Sequence, residues 1–251
     1  MDMEKRQNSI IYNMENNRLG LDDTFKFKCR ECGRCCKNRE DILLTTRDLY
    51  NIAKYFGRSM GDIVKRYCDV YIGVTSRIPI VKLKSVGPDN ACPLLLNKHC
   101  IVHRSKPVVC ALFPLGRGVT TPEGDTTFDY IQPQYFLQKT KCGINQAGDP
   151  VTVRNWLSSF DIPIEDKFYS DWTLLIMYLG DYFRSLEEQK LSKDLIARLR
   201  DVTFILLYIE YDINLDFMPQ FKDKMALLRD IFDRAKDKMA VLDSLLLQKS
   251  S

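Results

Sequence analysis

Four cysteines within eight residues constrain this chain more than any other feature of its sequence. Cys29, Cys32, Cys35 and Cys36 form the pattern C-x-x-C-x-x-C-C. A C-x-x-C pair can place both sulfurs on one metal because the two intervening residues form a tight turn, and Gly33 relaxes the backbone within the run. Neighbouring side chains diverge in extended backbone, so we expect one of Cys35 and Cys36 to serve a second metal or another edge of the site.

Later cysteines extend the candidate ligand set. The proposed metal ligands are Cys29, Cys32, Cys35, Cys36, Cys92, Cys100, Cys110 and Cys142. These thiolates are enough for two four-thiolate sites, or for one site with thiols to spare. Cys68 falls within a helix predicted to begin after Ser59, and we interpret it as a small buried apolar side chain outside the set. His99 and His103 flank Cys100 and are alternative ligands, although histidines in such loops are more often surface residues.

The spacing of the cysteines leaves two kinds of metal open. Tetrahedral thiolate sites suit zinc, and thiolates equally suit iron–sulfur clusters. A zinc site typically uses two separated C-x-x-C pairs, whereas only the first run of this chain has that spacing. The intervals between Cys29, Cys32 and Cys35 resemble the opening of a bacterial ferredoxin run, although Cys36 follows at once. The pattern therefore favours an iron–sulfur cluster, of the [4Fe–4S] type, with zinc as the alternative.

Charge and hydropathy restrict the expected cellular location and the expected classes of binding partner. The 37 basic and 33 acidic side chains leave a net charge of only +4, which is too little to indicate a nucleic-acid surface. The N-terminal segment lacks an apolar signal region, and the densest apolar stretch, residues 173–180, is too short to span a bilayer. We therefore expect a cytoplasmic protein, in which thiols bind metals more often than they form disulfides. Metal is the first expected partner, without nucleic acid or membrane.

The distribution of cysteines also divides the chain. All nine lie between Cys29 and Cys142, and long helical patterns follow. We predict an α+β, predominantly helical protein, in which a small cysteine-rich metal-binding module precedes a C-terminal helical bundle. The predicted division is a polar N-terminal segment over 1–24, the metal-binding module over 25–150 and a helical bundle or cap over 151–251.

Capping patterns predict two helices in the first part. Thr45 and Ser59 each begin a capping box, with an aspartate three residues later. The first helix is predicted to end at Gly57, and the second to continue to about Tyr71.

Other patterns predict strands and the C-terminal helices. The alternating run 78–84 indicates a half-buried strand, and Pro79 places that strand at a sheet edge. A further strand is predicted over 126–131. Thr152 caps a short helix, and long helical patterns follow. These cover 165–188, 192–213 and 218–247, and the second is apolar nearly all round, which predicts a buried helix.

The cysteine blocks resemble those of a known family. CRECGRCC is followed by CPLLLNKHCIVHRSKPVVCALFP and KCGINQAG, and together they resemble the CxxCxxCC (YkgJ-type) cysteine-cluster proteins, described as zinc- or iron-chelating. The positions that match the family pattern are Cys100, Ile101, Pro107, Cys110, Phe113, Pro114, Cys142 and Gly143. The family includes flagellin lysine N-methylases. The resemblance therefore implies metal binding and, as one alternative, a protein lysine methylase that would use S-adenosylmethionine and a protein substrate.

Two further roles stay open beside simple metal binding. The segment from Cys100 to Gly118 carries the cationic or titratable residues His103, Arg104, Lys106 and Arg117. In an enzyme, such groups could receive an anionic substrate beside the metal. The same side chains are also expected as solvated loop charges or as donors to cysteine sulfur. The other role is that of an adaptor or metal-handling module, whose helices would carry a partner surface.

Overall fold

The computed structural model describes residues 11–29, 33–38, 42–119, 130–138, 148–189 and 191–249, with side chains described as far as residue 236. The chain is a mixed α+β protein, as predicted. Its helices are α1 over residues 11–16, α2 (Thr46–Phe56), α3 (Met60–Tyr67), α4 (Val108–Leu112), α5 (Val153–Ser158), α6 (Lys167–Glu188), α7 (Lys193–Tyr208) and α8 (Phe217–Lys249). Its strands are β1 (Arg18–Leu19), β2 (Thr24–Lys26), β3 (Leu43–Leu44), β4 (Cys68–Ile72), β5 (Pro79–Leu83), β6 (Leu95–Leu96), β7 (His99–Cys100), β8 (Leu115–Gly118), β9 (Gln134–Leu137) and β10 (Pro150–Thr152).

The described strands form four small antiparallel sheets. Two sheets have three strands, in the orders β1-β9-β8 and β3-β5-β4, and two are the pairs β10-β2 and β6-β7. The pair β10-β2 joins Thr24–Lys26 to a strand that leads into α5, so the N-terminal segment is fixed against the start of the second half. The strand predicted over 126–131 lies mostly outside the described residues, and β9 begins only at Gln134.

The strand predicted over 78–84 is present, but the prediction that it lies at a sheet edge is wrong. β5 is the central strand of β3-β5-β4, and Pro79 is its first residue, opposite Ile72 of β4. Proline is tolerated at the first position of a strand because its missing N–H interrupts the hydrogen-bonded ladder least there. Proline therefore marks the start of this strand and not a sheet edge.

The helix that begins after Ser59 is shorter than predicted. Ser59 caps α3 by accepting a hydrogen bond from the Asp62 N–H, but the helix ends at Tyr67. The next residues form β4, whose branched Val70 and Ile72 favour extended backbone. The helical pattern of α3 and the strand preference of β4 meet without a glycine or proline between them, so the sequence carries no boundary signal there.

The other capping predictions are confirmed. Thr45 forms the full capping box with Asp48 at the start of α2, and Gly57 ends that helix in the left-handed conformation with φ 59°. Thr152 accepts a hydrogen bond from the Asn155 N–H and begins α5. These local signals act within a few residues, which is why the sequence predicts them well.

Two buried apolar clusters hold these elements together. The larger combines residues such as Leu49 of α2 and Val81 of β5 with Phe183 of α6 and Phe232 of α8. The smaller packs Phe25, Leu115, Tyr135 and neighbouring residues around α5. α7 is not buried on all sides as predicted, because Val202 and Ile205 are exposed. None of the described helices is long and apolar enough to cross a membrane.

Candidate metal centre

The second half of the cysteine run forms a tight turn. Gly33, with φ 68°, precedes a 3-10 turn over Arg34–Cys36, and the Cys36 N–H donates a 3.0 Å hydrogen bond to the Gly33 carbonyl. A left-handed φ at this position suits glycine because it has no Cβ. The Sγ atoms of Cys35 and Cys36 are 3.9 Å apart. The expectation of extended backbone here was wrong, and the turn brings the two neighbouring thiols to the same side.

A hairpin supplies the next two cysteines. Leu95 and Cys100 are cross-strand partners in β6-β7, and the Leu95 N–H donates to the Cys92 carbonyl at 3.0 Å. The two residues at the hairpin tip, Asn97 and Lys98, have φ of 50° and 68°. Positive φ at both positions is the conformation of the two-residue turn that best matches strand twist. The hairpin therefore holds Cys92 and Cys100 on a short, regular scaffold.

Backbone contacts join the cysteine turn to the segment before the hairpin. The Cys92 N–H donates to the Cys36 carbonyl at 2.8 Å, and Lys37 forms an isolated antiparallel bridge with Ala91. The Lys37 ammonium lies 2.6 Å from a carboxylate oxygen of Asp89. This pair is partly exposed, so it adds little stability by itself. The backbone bonds are what fix the two cysteine segments side by side.

Cys110 lies on α4, which is held by a residue far away in the sequence. The backbone N–H of Val108, in the first turn of α4, donates to the Asp48 carboxylate at 2.8 Å. Asp48 also accepts hydrogen bonds from the backbone N–H and the hydroxyl of Thr45, at 2.9 and 2.7 Å. One buried carboxylate therefore caps α2 and satisfies an N–H of α4. It ties the position of Cys110 to the larger core.

The thiols of these segments lie within electrostatic reach of one another. The pKa of Cys36 is raised by its hydrogen bond with Cys35 and by burial. The charges of Cys35, Cys92 and Cys110 raise it further. Burial raises the pKa of Cys92, and the charges of Cys100 and Cys35 raise it further. Burial also raises the pKa of Cys100, against the opposing effect of Lys106. Mutual repulsion among thiolates is what a metal cation would relieve, because it lowers the free energy of the charged forms.

Comparison with known proteins identifies the segment that carries these cysteines. Residues 28–143 match the model of the CxxCxxCC family, which is described as a "Putative zinc- or iron-chelating domain". This segment is a CxxCxxCC domain. The family expected from the cysteine blocks is thus confirmed for this segment, and its description agrees with the expected zinc or iron chelation.

One relative covers more of the chain than the CxxCxxCC domain. The chain is 25% identical over 197 residues to an uncharacterized protein of Methanocaldococcus jannaschii, across 74% of this chain and 93% of the relative. No solved structure matches the chain.

The structure brings together five of the eight predicted ligands of the CxxCxxCC domain. They are Cys35, Cys36, Cys92, Cys100 and Cys110. Cys29 is exposed after β2, whereas Cys32 and Cys142 lie outside the described residues. Within the described residues, no group of three or more His, Cys, Asp or Glu side chains is already arranged to hold a metal ion. The backbone therefore brings the predicted ligand segments together, whereas the described thiols are not yet arranged around one point.

Cys68 is buried in the larger core, although the charge of Cys92 reaches its thiol. It is only 8% exposed within the larger core, as predicted for a small apolar side chain, although it begins β4 and is not part of a helix. Burial raises the pKa of its thiol to about 12. Such a thiol is protonated at neutral pH and is a poor nucleophile.

The cationic groups predicted beside the metal are dispersed. His103 and Arg104 are exposed on a 3-10 turn, and the Lys106 ammonium lies 4.1 Å from the ring centre of Phe160. The Arg117 side chain is only 8% exposed, and its Nη1 lies 3.0 Å from Asp166. Arg117 is therefore not the solvated loop charge that one alternative predicted. The sequence did not indicate the role of Asp166, whose partners are remote in the chain.

Proposed function

We propose that the CxxCxxCC domain is a thiolate metal-binding module in which Cys35 and Cys36 ligate the same metal ion. The observation that carries this proposal is the 3.9 Å separation of their Sγ atoms. Two thiolates at about 2.3 Å from a tetrahedral ion are roughly 3.8 Å apart, so the pair needs little rearrangement to bind one ion.

The other two thiolate ligands of the centre come from the cysteines that the backbone brings alongside. Cys92 is tied to Cys36 by its N–H, and the charge of Cys110 acts on Cys36. Cys100 is on the hairpin that follows Cys92, opposite Leu95, whose N–H donates to the Cys92 carbonyl. We propose that two of these three thiolates complete the four ligands, on the same ion in a zinc site or on the second iron in a [2Fe–2S] cluster. Cys29, Cys32, Cys142 and the remaining one of these three thiolates are then the ligands available to a second metal centre, which preserves the set of eight proposed from the sequence.

If Cys35 and Cys36 bind the same ion, only some types of metal centre are compatible with the site. Zinc in a four-thiolate site carries all four sulfurs on one ion, and each iron of a [2Fe–2S] cluster carries two. Four cysteines on a [4Fe–4S] cluster supply one thiolate to each iron, which would separate Cys35 from Cys36. The ferredoxin-like spacing favours an iron–sulfur cluster, and the vicinal pair supports the [2Fe–2S] and zinc alternatives over [4Fe–4S].

The experiment is metal analysis with visible absorption of the full chain purified without oxygen. A [2Fe–2S] cluster gives brown or red protein with iron and acid-labile sulfide in equal amounts, and zinc gives colourless protein. Either result supports the proposal if the metal is stoichiometric. Protein that takes up neither zinc nor iron would refute it. Because two [2Fe–2S] clusters contain as much iron and sulfide as one [4Fe–4S] cluster, the cluster type is assigned from the Mössbauer spectrum. A [4Fe–4S] spectrum would refute the shared ion and retain the thiolate ligands.

The role of the centre follows from whether its coordination is closed. A closed four-thiolate shell suits a structural or adaptor role, and an open position suits catalysis such as lysine methylation. We propose the closed form for the site around Cys35 and Cys36, because more thiols lie within reach than one tetrahedral ion can bind. Displacement of the metal by a chelator would then unfold the surrounding loops and not merely abolish a reaction.

A further inference from the structure

A second group of buried polar side chains lies where α2, β8 and α6 meet. Asp166, whose side chain is 1% exposed, is the N-cap of α6 and accepts a hydrogen bond from the Tyr169 N–H at 3.1 Å. Nη2 of Arg47 donates to both of its carboxylate oxygens, at 3.0 and 2.9 Å. Nη1 of Arg117 donates to Oδ2 at 3.0 Å. Two guanidinium groups thus share one carboxylate.

We call this group, together with Tyr135, the arginine-pair cluster; its members are Arg47, Arg117, Asp166 and Tyr135. The cluster has more positive than negative charge, and it has more hydrogen-bond donors than acceptors. Two arginines and one aspartate leave one positive charge uncompensated. Asp166 already accepts four hydrogen bonds, which is about what a carboxylate can accommodate. Arginine carries five N–H donors and no acceptor, so the surplus in the cluster is a surplus of donors.

The two acidic side chains next to Arg47 and Asp166 in the chain do not supply the missing acceptor. The carboxylate of Asp48, next to Arg47 in the chain, is used by Thr45 and by the Val108 N–H. Glu165, next to Asp166, is exposed to solvent. Aromatic faces provide part of the compensation, because Arg47 lies 4.2 Å from the ring centre of Phe168. A ring face attracts a cation but accepts no conventional hydrogen bond.

Tyr135 adds a donor at the same place. It is the cross-strand partner of Arg117 in the β8-β9 pair, so the two side chains share one face of the sheet. The residue is 3% exposed, and its buried hydroxyl has no hydrogen-bond acceptor within the described residues. Burial raises the pKa of Tyr135, whereas the charge of Arg117 and a hydrogen bond from its guanidinium to the phenol oxygen oppose that rise. Arg117 is a donor only and cannot receive the hydroxyl hydrogen.

We propose that the arginine-pair cluster binds the carboxylate or phosphate group of a small anionic ligand. An oxyanion would offset the excess charge, accept the hydroxyl hydrogen of Tyr135 and take up N–H groups of Arg117 that Asp166 does not use. Arg47 is the accessible member, with 23% of its side chain exposed, whereas Arg117 is 8% exposed. The ligand therefore approaches from the Arg47 side. The inference does not depend on which metal the CxxCxxCC domain holds.

The test is calorimetric titration of the full chain, as purified with its metal, with sodium phosphate and separately with sodium acetate. Sodium chloride keeps the ionic strength constant, and thermal unfolding is recorded in parallel. We expect saturable binding of at least one oxyanion and a rise in Tm that chloride does not produce. Phosphate and acetate separate a phosphoryl ligand from a carboxylate ligand. Absence of binding by both would overturn the proposal.

Tyr135→Phe is the informative variant, because replacing Arg117 could disturb folding. Loss of one hydrogen bond to a charged group is expected to weaken oxyanion binding about tenfold or more. Tyr182→Phe is the matched control, since its hydroxyl is also buried and unpartnered but has no arginine beside it in the described structure. Oxyanion affinity should be unchanged in Tyr182→Phe, and metal content should be unchanged in both variants. Wild-type affinity in Tyr135→Phe would overturn the assignment.

Discussion

The backbone N–H of Cys92 donates a 2.8 Å hydrogen bond to the carbonyl oxygen of Cys36. This bond links two segments that are far apart in the sequence, and it involves no sulfur atom. The adjacent bridge between Lys37 and Ala91 extends the same contact. The main chain therefore sets the relative position of the cysteine turn and the hairpin before any metal binds, which reduces the ordering that the metal must impose.

A shared ion makes a specific prediction for serine variants. Cys35→Ser and Cys36→Ser are each expected to lose the metal at that site and to lower Tm by roughly 10 °C, because metal binding stabilises the folded loops. The double variant should lose no more metal than either single variant, since both thiolates serve one ion. Metal content and thermal unfolding are measured on the same preparations.

Cys68→Ser is the control for loss of a thiol without loss of a ligand. It buries a hydroxyl in the larger core and should cost about 1–3 kcal/mol of unfolding free energy, but it should retain all the metal. Additive metal losses in the Cys35 and Cys36 variants would contradict the shared ion. Metal loss in Cys68→Ser would show that the ligand set is wrong.

Metal affinity is expected to increase with pH. The pKa values of Cys36, Cys92 and Cys100 are all raised above that of a free thiol, so the metal-free protein keeps these groups protonated at neutral pH. A metal binds the thiolates and releases their protons. Apparent affinity should therefore rise between about pH 6 and pH 8, by roughly tenfold per pH unit for each proton released. Competition with a chelator at several pH values measures this slope, and a flat or falling profile would contradict it.

Because Asp48 accepts hydrogen bonds at the start of both α2 and α4, we expect its replacement to destabilise the protein more than loss of an ordinary helix cap. Asp48 is 3% exposed and accepts hydrogen bonds from Thr45 and from the Val108 N–H. Asp48→Ala should lower the unfolding free energy by about 3 kcal/mol, because it removes a cap and leaves a buried N–H of α4 without its partner. Asp62→Ala at the same capping position of α3 is exposed and should cost no more than about 1 kcal/mol. Equal losses in urea unfolding would show that the contact with α4 adds nothing.

The strand that carries Arg117 depends on a glycine. Gly116 is opposite Phe136 in the β8-β9 pair, and a Cβ at Gly116 would overlap the buried phenyl ring. Gly116→Ala should therefore cost about 2–3 kcal/mol. Gly61→Ala, in α3, would place its Cβ 3.8 Å from the nearest atoms and should raise stability by up to about 1 kcal/mol. Denaturant unfolding compares the two, and a neutral Gly116→Ala would contradict this packing.

The features that the sequence predicted correctly are local. The capping box at Thr45 and the N-cap at Thr152 act within one turn of helix, and the α+β class follows from the periodicity of each segment. The features that it missed depend on remote partners. Arg47 and Asp166 are 119 residues apart, and nothing near either residue indicates the other. The strand β4 was predicted as helix because α3 leads into it without a breaking residue.

The candidate metal centre shows the same limit. Its cysteines are identifiable from spacing, but the relation between Cys35 and Cys36 depends on whether their backbone is extended or turned. The left-handed Gly33 before them selects the turn. Only the fold shows that Cys92 lies against Cys36, because their contact is made by the main chain and leaves no mark on the choice of side chain.

X-ray absorption at the metal K edge tests the central claim most directly. The sample is the full chain purified without oxygen, with its metal content measured beforehand. We predict a shell of four sulfur ligands at about 2.3 Å around the ion, and a smaller sulfur number with nitrogen or oxygen in Cys35→Ser and in Cys36→Ser alike. A shell dominated by nitrogen or oxygen in the wild type, or a chain that holds no stoichiometric metal, would contradict the account.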